Sequence, residues 1–300
     1  SGGIDSSIIT AIASNIQNKV STYSVSFEDE LIYDESKYSD IVADKFNTNH
    51  HKFLFTEKVL LGYLPKLIET IDVPIYDPAM LPMLFLCDNV AKTSKVVLSG
   101  DGGDELFAGY THHKVLKYKY VYIVISFILD KIKLFKNGNE VIKNILKDNN
   151  DFNASIDFDQ NIGLNYQLLR KTDLCSMRYG LEVRVPFLSK RLYNFSKKRK
   201  YSKYINFKYG KLPLRKLVSK LVNKEIAYKK KQGFRVPIRE WVMYGELGII
   251  INNDLTNDLI IREEVISSDE LSLFLLNKKK YYKELFSLFL LNNWLKKVKK

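Results

Sequence analysis

"SGGIDSS", residues 1–7, is the stretch on which the fold of this chain turns. Two glycines leave backbone N–H groups uncovered. Asp5, Ser6 and Ser7 then suit the first turn of a helix, whose dipole favours anions. Such a turn fits a leaving pyrophosphate or a metal-bound triphosphate, yet the Gly-Lys-Ser/Thr ending of Walker loops is absent. Asp5 cannot help to bind bare phosphate and makes sense as a magnesium ligand. Glycine turns of this kind follow strands, so a strand, and with it an upstream domain, is expected before Ser1. Behind the turn, Ile4, Ile8, Ile12 and Ile16 recur every four residues and predict a helix with one apolar stripe.

Working outward, "TYSVSF" (22–27) alternates as a strand does, and 33–46 returns to helical spacing. "HKFLF" (51–55) reads as a short strand, 58–71 as a helix with a kink or start at Pro65, and 80–92 as another helix. "KVVLSG" (95–100) is a buried strand ending in a second glycine turn. This alternation predicts an α/β fold, a doubly wound parallel sheet with the ligand at the carboxyl ends of its strands, where both glycine turns lie. Beyond Tyr110 apolar residues keep helical spacing, and 136–140 and 147–153 read as loops. The expected layout is an α/β nucleotide-binding core over 1–110 and a largely helical part over 111–300.

The second loop, "LSGDGGDELFAGY" (98–110), carries Asp101, Asp104 and Glu105 beside a helix start. With both loops at strand ends of one sheet, Asp5 and Asp104 are expected to bracket a single magnesium ion between two phosphates. Two loops with two carboxylates make a sharper signal than either turn alone.

At 300 residues, with 46% hydrophobic and 27% charged, the chain can bury one large core or two modest ones. The longest apolar run, 121–129, has nine residues, where a membrane span needs about twenty, so no membrane role is expected. Cys87 and Cys175 lie in apolar surroundings and read as buried reduced thiols, which suits a cytoplasmic setting. The net charge of +13 is concentrated in late runs such as 196–203, 228–232 and 295–300. A solvated basic face explains it better than a nucleic-acid groove, and attraction of ATP is a third use. The histidines form two adjacent pairs, His50–His51 and His112–His113. Neighbouring residues point apart on a strand or helix, so neither pair is expected to chelate.

These residues resemble a known family. "SGGIDSS" is similar to the pyrophosphate loop of the adenylate-forming ATP pyrophosphatases, the PP-loop or adenine nucleotide alpha hydrolase-like superfamily. "LSGDGGDELFAGY" looks like the second signature of one branch, the glutamine-hydrolysing asparagine synthetases. "SMRYGLEVRVPFLS" (176–189), "KYGKLPLRK" (208–216) and "KKKQGFRVPIREW" (229–241) resemble its later segments, in the same order.

The resemblance implies a reaction. The side-chain carboxylate of aspartate attacks the α-phosphate of ATP, pyrophosphate leaves, and ammonia displaces AMP to give the amide. It implies Asp5 and Asp104 as Mg²⁺ ligands and Ser1, Gly2, Gly3 and Ser6 as the pyrophosphate loop. Val25, Ser99 and Gly100 match positions that hold the adenylate, and Lys231 matches the lysine that contacts the phosphates. Arg184 is a candidate for the substrate carboxylate or for a buried ion pair. Asp101 stands where housekeeping members commonly carry Glu, an acid that assists the ammonia step. The shorter side chain leaves room for another carboxylate substrate, as in β-lactam-forming or peptide-cyclising relatives. The family also implies an N-terminal glutaminase domain with a nucleophilic cysteine, which nothing here matches, and it leaves a homodimer open. A tRNA-modifying adenylating enzyme shares the first loop and would use the positive charge, but does not predict the second signature. A degenerate partner-binding domain would have no use for Asp5, Asp104 and Lys231 together.

Overall fold

The computed structural model describes residues 2–27, 36–119, 152–198, 200–229, 236–256 and 259–299. The first helix, α1 (Ile4–Ile16), starts close to Asp5 and Ser6, with Gly3 at the N-cap, no side-chain cap and Asp5 in the first turn. Its apolar stripe does not stay on the core. Ile8 is 4% exposed, Ile12 48% and Ile16 81%. Four residues turn a helix by about 400°, so an i, i+4 row drifts by about 40° per step. The buried face is instead Ser7, Ile8 and Ala11.

Strands β1 (Ser21–Phe27) and β2 (Asn49–Phe55) pair in parallel, with Val25 opposite Phe53. Helix α2 (Ser36–Lys45) lies in the crossover that parallel pairing demands. Helix α3 (Glu57–Thr70) begins at Thr56, whose hydroxyl accepts from the Val59 N–H at 3.3 Å, and runs through Pro65. The proline therefore does not start it. Helix α4 (Met80–Ala91) leads to β3 (Val96–Leu98), which pairs in parallel with β4 (Glu182–Arg184). No strand bonded to both pairs occurs among the described residues, so the fold shown is mixed α/β with two small parallel sheets.

The rest of the described chain is helical. Helix α5 (Gly103–Leu106) and α6 (Thr111–Lys117) follow the second glycine loop. Helix α7 (Phe152–Phe158) runs into a π-helical segment, Asp159–Leu169, and then α8 (Arg170–Met177). After α9 (Lys190–Lys197) come α10 (Leu212–Leu221) and α11 (Lys224–Tyr228). The final helices are α12 (Ile238–Tyr244), α13 (Glu246–Leu255), α14 (Leu259–Arg262), α15 (Ser268–Leu276) and α16 (Lys278–Val298). The apolar run 121–129 and the loop 136–140 lie outside the described residues, as does most of 147–153. Among the described residues no helix is long and apolar enough to cross a membrane.

Two apolar clusters hold these elements. One gathers Phe55, Leu60, Met80, Leu84 and Cys175 with residues of α12–α16 such as Val242 and Phe286. The other packs Ile8 and Val42 against Leu106, Phe107, Val218 and Ile226, directly beneath the two glycine loops. Both clusters draw on residues from either side of Tyr110. Burial pushes both thiols up, Cys87 to about 12, so they are inert, as expected of buried cysteines. Part of the late positive charge is used internally. Lys296 pairs with Asp254 at 2.9 Å, and Lys297 donates to the carbonyls of Ile68, Glu69 and Ile71, which close α3.

Candidate active site

The two glycine loops touch. A side-chain carbon on Gly100 would lie 2.8 Å from Asp5 Cβ, and one on Gly103 would overlap the Asp5 carboxylate. Glycine is what lets the start of α5 close on the start of α1. At Gly2 the backbone is left-handed (φ +63°) and a Cβ would meet the Tyr38 backbone at 2.5 Å, so this position also excludes other residues. Gly103→Ala should displace Asp5 and destabilise by roughly 1–3 kcal/mol through overpacking. Thermal unfolding of the variant beside the unaltered chain checks this.

Asp5 in the first turn of α1 and Asp104 in the first turn of α5 face one ammonium. Lys211 Nζ lies 2.5 Å from Asp5 Oδ2 and 2.9 Å from Asp104 Oδ1. Lys211 is 4% exposed, has a left-handed backbone (φ 54°) and sits at the N-cap of α10. That is an adverse place for a cation, because both burial and the helix dipole oppose its charge. Burial does lower its pKa, but Asp104 and Asp5 outweigh this and hold it at about 12. Its charge therefore persists across the neutral range, and the stability it contributes is lost only as pH rises through that value.

Glu105, next to Asp104, is 1% exposed. Burial raises its pKa; the Tyr110 hydroxyl bonded to Oε1 works against this, and Asp104 adds to it. Gln160 of the π-helical segment donates to the Glu105 carbonyl at 3.0 Å. The loop is thus pinned from below by the second half of the chain.

The structure places Asp101 on the other side of the loop. Its Oδ2 accepts from Ser99 Oγ at 2.9 Å and from Thr172 Oγ1 of α8 at 3.2 Å. Ser6 Oγ donates to the Gly3 carbonyl at 3.2 Å. Behind the first loop, Gly2, Ser6, Ser7, Thr22 and His50 line a polar recess of about 20 Å³, room for about one water. Val25 is half-buried on β1, packed against the first apolar cluster. Arg184 is the outlier. On β4 it pairs with Glu182 at 2.7 Å, both side chains exposed, so its ion pair is not the buried one expected. Ser1 and Lys231 lie outside the described residues.

Sequence reasoning passed over Lys211 and Thr172. The signal for Lys211 was available: a lysine between Gly210 and the Leu-Pro start of a helix has its charge in the wrong place unless acids meet it. Thr172 has no such signal. Near Lys211, Arg215 is 5% exposed and donates to the carbonyls of Gly210 and Ala227 at 2.8 and 2.6 Å. Lys229 lies 4.1 Å over the Tyr38 ring.

The histidine pairs differ. His50 and His51 do diverge: His50 bonds Thr22 and Ser24 of β1, while His51 stacks on Tyr23. His112 and His113 do not, and both reach the same oxygen of Asp159. Helical neighbours leave the axis about 100° apart, yet a third residue between them can receive both.

Comparison with known proteins adds the context of family. A family model described as asparagine synthase matches residues 1–296. A putative glutamine-hydrolysing asparagine synthetase of Mycobacterium bovis is 26% identical over 82% of this chain and 46% of its own length. Glutamine-hydrolysing asparagine synthetase 1 of Bacillus subtilis is 27% identical over 81% of the chain and 46% of its own length. A putative asparagine synthetase of Methanocaldococcus jannaschii reaches 38% identity, over 38% of the chain and 22% of its own length. The chain thus spans about half the length of the first two.

Proposed function

Since this chain belongs to the asparagine synthase family, we propose that it adenylates the side-chain carboxylate of aspartate with ATP and lets ammonia convert the adenylate to asparagine. The observation that carries this reading is the convergence of Asp5 and Asp104, from two glycine loops, on one cation. Two hard carboxylates already holding a positive charge between them fit Mg²⁺, which takes one or two carboxylates together with water and phosphate oxygens. When bound there, Mg²⁺ supplies neutralisation of the polyphosphate charge.

In the first step a carboxylate oxygen bonds to the α-phosphorus, and the bond from that phosphorus to the bridging oxygen breaks. The residues that match the pyrophosphate loop, Ser1, Gly2, Gly3 and Ser6, are assigned to the departing pyrophosphate at the start of α1. Lys211 and Lys231 meet the charge that builds on the bridging oxygen. Support for Lys231 comes from Lys229, two residues earlier, which lies over Tyr38 beside Gly2. Val25, Ser99 and Gly100 form the adenylate's bed. In the second step ammonia attacks the acyl carbon and AMP leaves with the bonding electrons. Asp101, oriented by Ser99 and Thr172, accepts the proton that the new amide loses. The relatives' names include glutamine hydrolysis, but Cys87 and Cys175 are both buried, so ammonia is the nitrogen donor proposed for these residues. The same reading takes the two strand pairs as parts of one doubly wound sheet; the Tyr23 hydroxyl on β1 reaches Ser94, just before β3, at 2.8 Å.

The test is product analysis with ATP, Mg²⁺, aspartate and ammonium. Equimolar AMP, pyrophosphate and asparagine support the reading. AMP formed with tRNA but not aspartate, or with another carboxylate but not aspartate, overturns it. Lys231→Ala should lower the rate of pyrophosphate exchange by about 10²–10³-fold and change ATP affinity little. An effect confined to affinity would place Lys231 in ground-state binding.

A further inference from the structure

Outside the two glycine loops, one cluster of side chains gathers ligand atoms without a task. His112 and His113 open α6, and Asp159 opens the π-helical segment. Their ligand atoms all lie within 4.8 Å of one another. His112 Nε2 is 2.6 Å and His113 Nε2 2.7 Å from the same atom, Asp159 Oδ2. We propose that His112, His113 and Asp159 form a binding site for a borderline divalent transition cation such as Zn²⁺, separate from the Asp5–Asp104 pair.

The geometry distinguishes a site from a mere hydrogen-bond knot. A network that served only to satisfy polar groups would spread its bonds over the available atoms. Here one carboxylate oxygen takes both rings, while His113 Nδ1 is buried with no partner among the described residues. Two imidazole nitrogens and a carboxylate oxygen are the donor set such cations favour over Mg²⁺. Four-coordinate zinc sets its ligands about 3.3 Å apart, so the 2.6–2.7 Å His–Asp spacings need to open by under 1 Å and the His112–His113 spacing, within 4.8 Å, to close by at most about 1.5 Å.

The rings are held in place before any ion arrives. Tyr110 stacks on His112 at 5.2 Å, and Phe152 meets His113 edge-on at 6.5 Å. His113 is fully buried and fixes the inner side, while the His112 side chain is 35% exposed and gives an ion its way in. Asp159 gains its position from the wide turns that begin there, and π-helical turns concentrate at functional sites. The outer nitrogen of a ligating histidine usually has a partner, and at His113 it has none. Affinity should therefore be about 10–100-fold below that of a fully buttressed zinc site. An ion there would tie α6 to the π-helical segment, whose Gln160 pins the second glycine loop.

The experiment is a titration of the chain with Zn²⁺ in excess Mg²⁺, followed by calorimetry, thermal unfolding and zinc absorption-edge spectroscopy. One equivalent should bind, raise the melting temperature and show imidazole ligands. His112→Asn, at the accessible ligand, should weaken binding by at least about 10–100-fold, and Asp104→Asn should leave it unchanged. Absence of stoichiometric uptake, a spectrum without imidazole, unchanged affinity in His112→Asn, or loss of zinc in Asp104→Asn would each overturn the proposal. The spectrum of the unaltered chain decides the matter even if a variant fails to fold.

Discussion

Lys211→Met should both destabilise the chain and stop adenylation, and Mg²⁺ should repair only the first defect. The ammonium is 6% exposed in its side chain and lies between Asp5 and Asp104, whose side chains are 18% and 22% exposed. Removing one member of a buried charge cluster costs about 3–5 kcal/mol, because the remaining charges are left uncompensated. The lower end applies here, since both carboxylates keep some contact with water. Methionine preserves the apolar stem, so the loss measured is that of the charge. In the variant the two acids face each other without their shared cation. A divalent ion placed between them restores neutrality, so the melting temperature of Lys211→Met should rise more steeply with Mg²⁺ than that of the unaltered chain. Pyrophosphate exchange should stay depressed by about 10²–10³-fold throughout, since the lost donor acts on the transition state. If Mg²⁺ affects both proteins equally, Asp5 and Asp104 are not a shared cation site.

Lys211 lies inside a segment whose resemblance to the family was plain, and its place before the Leu-Pro start of α10 marks a charge that needs acids, but the sequence does not say which acids meet it. Its role depends on a contact between residues 206 positions apart, which local pattern does not encode. Other parts were legible because their causes are local. The acid at Asp5 falls in the first turn of α1, where a helix dipole favours it, and alternation at Tyr23, Val25 and Phe27 marked β1. Strand β4 was not legible: Glu-Val-Arg is three residues long, carries two charges, and is a strand only because β3 lies beside it. The π-helical turns at Asp159 have no known sequence signature, and without them the meeting of His112 with His113 could not be foreseen. For Arg184 the buried ion pair was misread, since its pair with Glu182 is exposed.

Asp104→Asn separates the chemistry from the fold. Asparagine keeps the size of the side chain and an oxygen that can accept from Lys211, and Lys211 keeps Asp5 at 2.5 Å. The buried ammonium thus retains a full counter-charge, and the melting temperature should drop by only a few degrees. What is lost is one of two anionic oxygens able to hold Mg²⁺ against the pyrophosphate. Adenylation should fall by about 10²–10³-fold or more, the scale of removing one preorganised charge stabiliser. The Mg²⁺ concentration for half-maximal rate should rise as well. Lengthening the side chain should not substitute for the charge. A side-chain carbon on Gly109 would already overlap the Asp104 carboxylate and the Lys211 stem, so the cradle has no room for the extra methylene of Asp104→Glu. That variant keeps the charge and should still be inactive, with a larger loss of stability than Asp104→Asn. The pair of variants therefore distinguishes a positioned ligand from a general negative field. If Asp104→Glu turns over normally while Asp104→Asn does not, only local charge matters. If Asp104→Asn turns over normally, Asp104 has no part in holding the metal, and the two-loop reading of the site falls.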